Sequence, residues 1–133
     1  MKLILLSLVT AACTLDVNAT GAHRTDAQRD AEGYAIASCL SQQADPYLKD
    51  QGDAWAAVIV QRMKGDLDML ANIAEQVSNE RTKSVTPMIR DEASQGKGKT
   101  LPVLYCGEII DRPAVRAAIQ KTIAKLRPLY NTK

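Results

Sequence analysis

The 133-residue chain has no phenylalanine, one tryptophan and one histidine, and Lys plus Arg exceed Asp plus Glu by only two. Each shortage closes off a class of reading. Without bulky aromatics, a core has to be built from small and aliphatic side chains, as in close-packed helices. The β-branched alternation that would mark strands is also scarce. A net charge of +2, evenly spread, is too mild to argue for a nucleic-acid partner. The sole histidine, His23, sits in a loose arm over residues 20–24, outside every patterned segment. A Cys–His or Ser–His nucleophile pair therefore has no sequence support, and two cysteines with one distant imidazole make a poor zinc set. Carboxylate pairs such as Asp66/Asp68 and Asp91/Glu92 read as solvated acids, because neither lies on an apolar stripe. The run Ser94-Gln-Gly-Lys-Gly-Lys-Thr100 lacks the spacing and the preceding strand of a phosphate-binding loop. No catalytic residue, metal ligand or cofactor is assigned; the chain reads as a binder rather than an enzyme.

What the sequence does contain begins with a leader. Met1-Lys2 is a minimal positive region, and Leu3 to Val9 is an apolar run too short to span a bilayer. Val17-Asn-Ala19 then fits a signal-peptidase site, which makes residues 1–19 a cleaved export signal and residues 20–133 the mature domain. A competing reading takes Val9-Thr-Ala-Ala-Cys13 as a loose lipobox that would tether the protein through a lipid on Cys13. Either way Cys39 and Cys106 are the remaining cysteines, and an even count in an oxidising compartment favours a disulfide. Closing a 67-residue loop is worth roughly 4 kcal/mol in the chain-entropy model. Two separately buried thiols are the alternative. No membrane-spanning segment follows the leader.

Helical signals recur along the mature part. Thr25 and Gln28 form a capping box for a first helix reaching about Gln43, where Asp45-Pro46 breaks the pattern. That helix carries Glu32, Ile36, Cys39, Leu40 and Gln43 on one side, with a small-residue strip of Ala27, Ala31, Tyr34 and Ala35 beside it. Asp53 caps a second helix over Ala54–Met63; Val58-Ile-Val60 alone would also suit a buried strand, but no partner strand is evident. A third helix, capped by Asp66, shows the stripe Leu67, Leu70, Ile73 or Ala74, and Val77 and stops before Pro87, with Met88-Ile89 opening another short turn. Residues 93–100 read as a mobile, exposed loop. Thr100 then caps a short helix whose apolar face carries Leu101, Leu104, Tyr105 and Ile109 beside Cys106. After Asp111-Arg-Pro113 a last helix presents Val115, Ala118 or Ile119, Thr122 and Leu126 inward. Arg116, Lys121, Lys125 and Arg127 face outward, and Pro128 ends the helix. The expected fold is all-α, a small bundle of about five helices stapled by one disulfide.

Tyr34-Ala-Ile-Ala-Ser-Cys39-Leu, Gln51-Gly-Asp-Ala-Trp55, Gly98-Lys-Thr-Leu-Pro-Val-Leu-Tyr-Cys106 and Ile109-Ile-Asp-Arg-Pro-Ala-Val115 occur in an order that resembles the periplasmic amidase immunity proteins of type VI secretion. The resemblance covers residues 33–127. It implies an all-helical, often homodimeric domain in the periplasm, whose partner is a papain-like (Cys–His) peptidoglycan amidase effector. Such a domain plugs the effector's substrate cleft and protects the cell from a sister cell. The plug expected here is the segment Ser94, Gln95, Gly96, Lys97, Gly98, Lys99 and Thr100; a plain connector is the other reading of the same residues. From a different class, a small pilotin-like lipoprotein escorting an outer-membrane secretion subunit would need lipidated Cys13 and a groove for a partner helix.

Overall fold

The computed structural model describes residues 23–90 and 96–131. The expected export signal (1–19), the alternative lipid site at Cys13, the pair Asp91/Glu92, and Ser94 and Gln95 lie outside the described residues. Five α-helices are found among those described: α1 (Asp26–Ser41), α2 (Pro46–Arg62), α3 (Asp68–Lys83), α4 (Pro102–Glu108) and α5 (Pro113–Tyr130). A two-stranded antiparallel sheet of β1 (Met88–Arg90) and β2 (Gly98–Thr100) stands between α3 and α4, and a 3-10 turn, Ile109–Asp111, links α4 to α5. No described helix is long and apolar enough to cross a membrane.

The bundle is organised around α1, which packs against all four other helices. Its two strips are both covered: Ala31 and Ala35 are buried, and so are Cys39 and Leu40. Thr25 caps it as expected, its hydroxyl accepting from the Gln28 amide at 3.2 Å. The Gln28 side chain, however, reaches forward to Glu32 instead of back to the cap. Ile73 and Val77 of α3 and Val115 and Ile119 of α5 complete the core. Burying each such aliphatic side chain contributes about 1.5–3 kcal/mol.

Helix α2 begins eight residues earlier than its sequence pattern suggests. Asp45, not Asp53, is the cap, its carboxylate accepting from the amides of Tyr47 (2.9 Å) and Leu48 (3.2 Å). Pro46 occupies the first helical position, where a missing N–H costs nothing, so the dipeptide that looks like a break is a start. Gly52 is then interior to the helix because of what it meets. A Cβ there would lie 2.3 Å from the Ser41 amide nitrogen and 2.7 Å from the Ala37 carbonyl oxygen. The two helices cross backbone to backbone, so only glycine fits. Residues 58–60 are helical, with Ile59 buried and Val58 half exposed.

Four further expectations are corrected. Leu67 lies before α3 and is 54% exposed, while Leu70, Ile73 and Val77 form the stripe. Thr100 belongs to β2, and α4 starts at Pro102 without a side-chain cap. Its buried face is Tyr105–Cys106 rather than Leu104, because the Cys106 linkage turns that side to the core and Leu104 outward. Helix α5 runs through Pro128 to Tyr130. The proline's lost hydrogen bond would have gone to the Ala124 carbonyl, on an exposed side of the last turns where water can replace it.

Candidate binding hairpin and its supports

The segment expected to be a loose plug supplies one strand, Gly98–Thr100, of a β-hairpin. Gly96 occupies the left-handed region (φ 77°) with open space where a Cβ would be, and Lys97 follows. Gly98–Thr100 then pairs with Met88–Arg90 in the register Met88↔Thr100, Ile89↔Lys99 and Arg90↔Gly98. Residues 88 and 89, read as a turn, are thus a strand. Three residues are too short for alternation to show in a sequence window. The Leu101 amide continues the ladder by donating to the Pro87 carbonyl at 2.9 Å. Proline has no N–H to return, so this rung carries one bond instead of two, and the ladder ends there.

Gly98 has a packing role. Met88 and Gly98 are diagonal neighbours on one face of the ribbon, and a Cβ on Gly98 would fall 2.1 Å from the Met88 sulfur. The thioether therefore lies across the glycine. Every residue of both strands is exposed, including Met88 at 63% and Ile89 at 48%. The flanking Val85, Val103 and Leu104 are exposed as well. A hollow of about 200 Å³ at the hairpin's foot is lined by Asp45, Leu48, Thr86, Thr100 and Pro102. Apolar side chains left in water beside Arg90, Lys97 and Lys99 make a surface that gains free energy when a partner covers it. Val85, Met88, Ile89 and Val103 were not singled out as an apolar surface in the sequence, and Leu104 was assigned to a buried helical face.

The foot of the hairpin is held by α4. Cys39 and Cys106, 67 residues apart, form the expected disulfide between α1 and α4, and both are fully buried. Gln43 closes over it, its side-chain amide donating to the Cys39 carbonyl at 3.0 Å and lying 3.3 Å from the Cys106 sulfur. The neighbouring Tyr105 hydroxyl shares a hydrogen bond of 2.5 Å with the Ser84 hydroxyl, at the end of α3.

Two buried carboxylates lie on α1, away from the hairpin. Asp66 and Asp68 are exposed, as solvated acids should be, but Asp30 and Glu32 are 1% and 4% exposed. Asp30 accepts from Arg62 Nε (2.8 Å) and Nη2 (2.5 Å) on one oxygen and from the Tyr130 hydroxyl (2.6 Å) on the other. It ties α1 to the ends of α2 and α5. Burial, and then the Asp30 carboxylate beside it, push the Tyr130 phenol up to about 12. Glu32 accepts from Arg24 (2.9 Å) and Gln28 (3.1 Å), with Arg116 at 3.9 Å. Arg116, expected on a basic outer face, instead turns to Glu32 and Asp111; Lys121, Lys125 and Arg127 remain outside. Position offered a signal for Asp30: it falls three residues after Ala27 and four before Tyr34, on the small-residue strip itself.

No group of three metal-ligating side chains comes together among the described residues, and His23 is exposed. Comparison with known proteins finds no matching family model, no similar curated protein and no similar solved structure.

Proposed function

We propose that the protein is an exported immunity protein that blocks the active-site cleft of a papain-like peptidoglycan amidase delivered by type VI secretion, with the hairpin as the inserted element. The observation that carries this reading is the hairpin: a narrow ribbon with exposed apolar side chains and flanking cations, standing on a disulfide-anchored foot. Paired strands lie about 4.8 Å apart, a width suited to a slot-like cleft. A ribbon already paired loses less conformational freedom on insertion than a coil of equal length, which favours affinity. Blocking of this kind is steric and asks no catalytic group of the inhibitor. The disulfide fits an oxidising compartment such as the periplasm, and the order of motifs over residues 33–127 resembles that immunity family.

The test is a titration. The purified, oxidised protein is added to the papain-like amidase encoded beside it while peptidoglycan cleavage is followed. The proposal expects cleavage to fall to zero at a fixed stoichiometric ratio, with a complex isolable by gel filtration. An active amidase that is neither inhibited nor bound would refute it.

A further inference from the structure

Each strand of the hairpin is fixed at its foot by a different contact, and both contacts belong to adjacent residues of α4. The incoming chain leaves α3 at Ser84, whose hydroxyl bonds the Glu80 carbonyl at 2.9 Å and the Tyr105 hydroxyl at 2.5 Å. The outgoing chain passes from β2 through Leu101 directly into α4, where Cys106 is bonded to Cys39 on α1. A seven-residue helix has no stability of its own. Its place comes from the buried Tyr105, Cys106 and the Ile109 that follows. The hairpin strands, by contrast, bury no side chain of their own.

We infer that Tyr105 and the Cys39–Cys106 disulfide are positioning groups for the hairpin, holding its two legs together so that the ribbon is presented in one orientation to its target. The disulfide anchors the outgoing leg to the central helix, and the tyrosine ties that leg to the incoming one. Loss of either contact should loosen the hairpin before it loosens the bundle. This rests on the immunity reading only for its consequence in affinity; the order of the hairpin is a property of the free protein.

The experiment is amide hydrogen exchange on the free, oxidised chain, comparing wild type with Tyr105→Phe. That change removes one hydroxyl and leaves the ring in its buried site. The reporter is the Leu101 amide, bonded to Pro87, read against amides in the middle of α1 and α5. We expect Leu101 to exchange about tenfold faster in Tyr105→Phe, the size of one lost hydrogen bond, and to keep its rate in the control Tyr130→Phe, whose lost bond to Asp30 lies away from the hairpin. Mid-helix amides that open only with the whole fold should respond to both variants. If Tyr105 merely supported the whole fold, Leu101 would respond alike to the two variants. Equal responses, or none at Leu101 in Tyr105→Phe, would overturn the inference. Cys39→Ala/Cys106→Ala also lowers the stability of the whole bundle, so the two tyrosine variants decide. The amidase titration with Tyr105→Phe then reads affinity separately. An inert wild type in that assay would count against the immunity reading and leave the exchange result standing.

Discussion

In the helical bundle Ile73, Val77, Val115 and Ile119 are fully buried, and no buried side-chain nitrogen or oxygen among the described residues lacks a hydrogen-bond partner. In the hairpin Met88 and Ile89 keep about half or more of their surface in water, on strands only three residues long. One region has spent its apolar surface on stability; the other leaves it in water, where the proposed function puts it to use in contact. On that proposal stability and recognition are divided between different residues, and substitutions should sort accordingly.

The sharpest way to break the comparison is at the staple, which serves both regions. Removing the Cys39–Cys106 bond should lower the unfolding free energy by roughly 4 kcal/mol for its 67-residue separation, measured by urea denaturation of oxidised and reduced protein. Next comes Gly52→Ala, which sets a methyl against the backbone of α1 where no flexible side chain can yield. A loss of about 3 kcal/mol is expected, since overpacking at an immovable contact lies at the costly end of such changes. Urea denaturation checks this, and amide exchange on the same variant should show the hairpin no more affected than the helices.

Tyr130→Phe should cost less, about 1–2 kcal/mol, because it removes one hydrogen bond to a charged acceptor, Asp30. Its pH signature is distinctive. The folded phenol is raised from 10.0 to about 12, so its contribution is fully present below pH 10. It declines between 10 and 12, as the unfolded phenol ionises first, and is gone above that. Wild-type stability should thus fall more steeply than that of Tyr130→Phe across this window in pH-dependent melts. The smallest effect belongs to Lys97→Ala on the hairpin: an unchanged melting temperature, slower association with the amidase at low salt, and an affinity altered only slightly. Stopped-flow association at two salt concentrations would show it.

Much of the bundle was legible in the sequence. The Thr25 cap, the stripe along α3 and the inward residues of α5 follow from local chemistry and period, whereas the pairing of Cys39 with Cys106 was read from an even cysteine count behind an expected export signal. What was illegible depended on tertiary context. Asp45-Pro46 can end one helix or begin the next, and only the close crossing at Gly52 explains a glycine inside α2. Asp30 stands on the small-residue strip, a positional sign of burial, but its partners Arg62 and Tyr130 are distant in sequence and no local pattern names them. The hairpin escaped because its strands are three residues long and exposed throughout, so no buried face marks them.

The most direct test shortens the hairpin by deletion within the Ser94–Thr100 segment and measures the variant twice, by thermal melting and by inhibition of the amidase. The account expects a melting temperature close to that of the wild type and complete loss of inhibition. Inhibition retained at wild-type strength would contradict it and move the recognition surface elsewhere on the bundle.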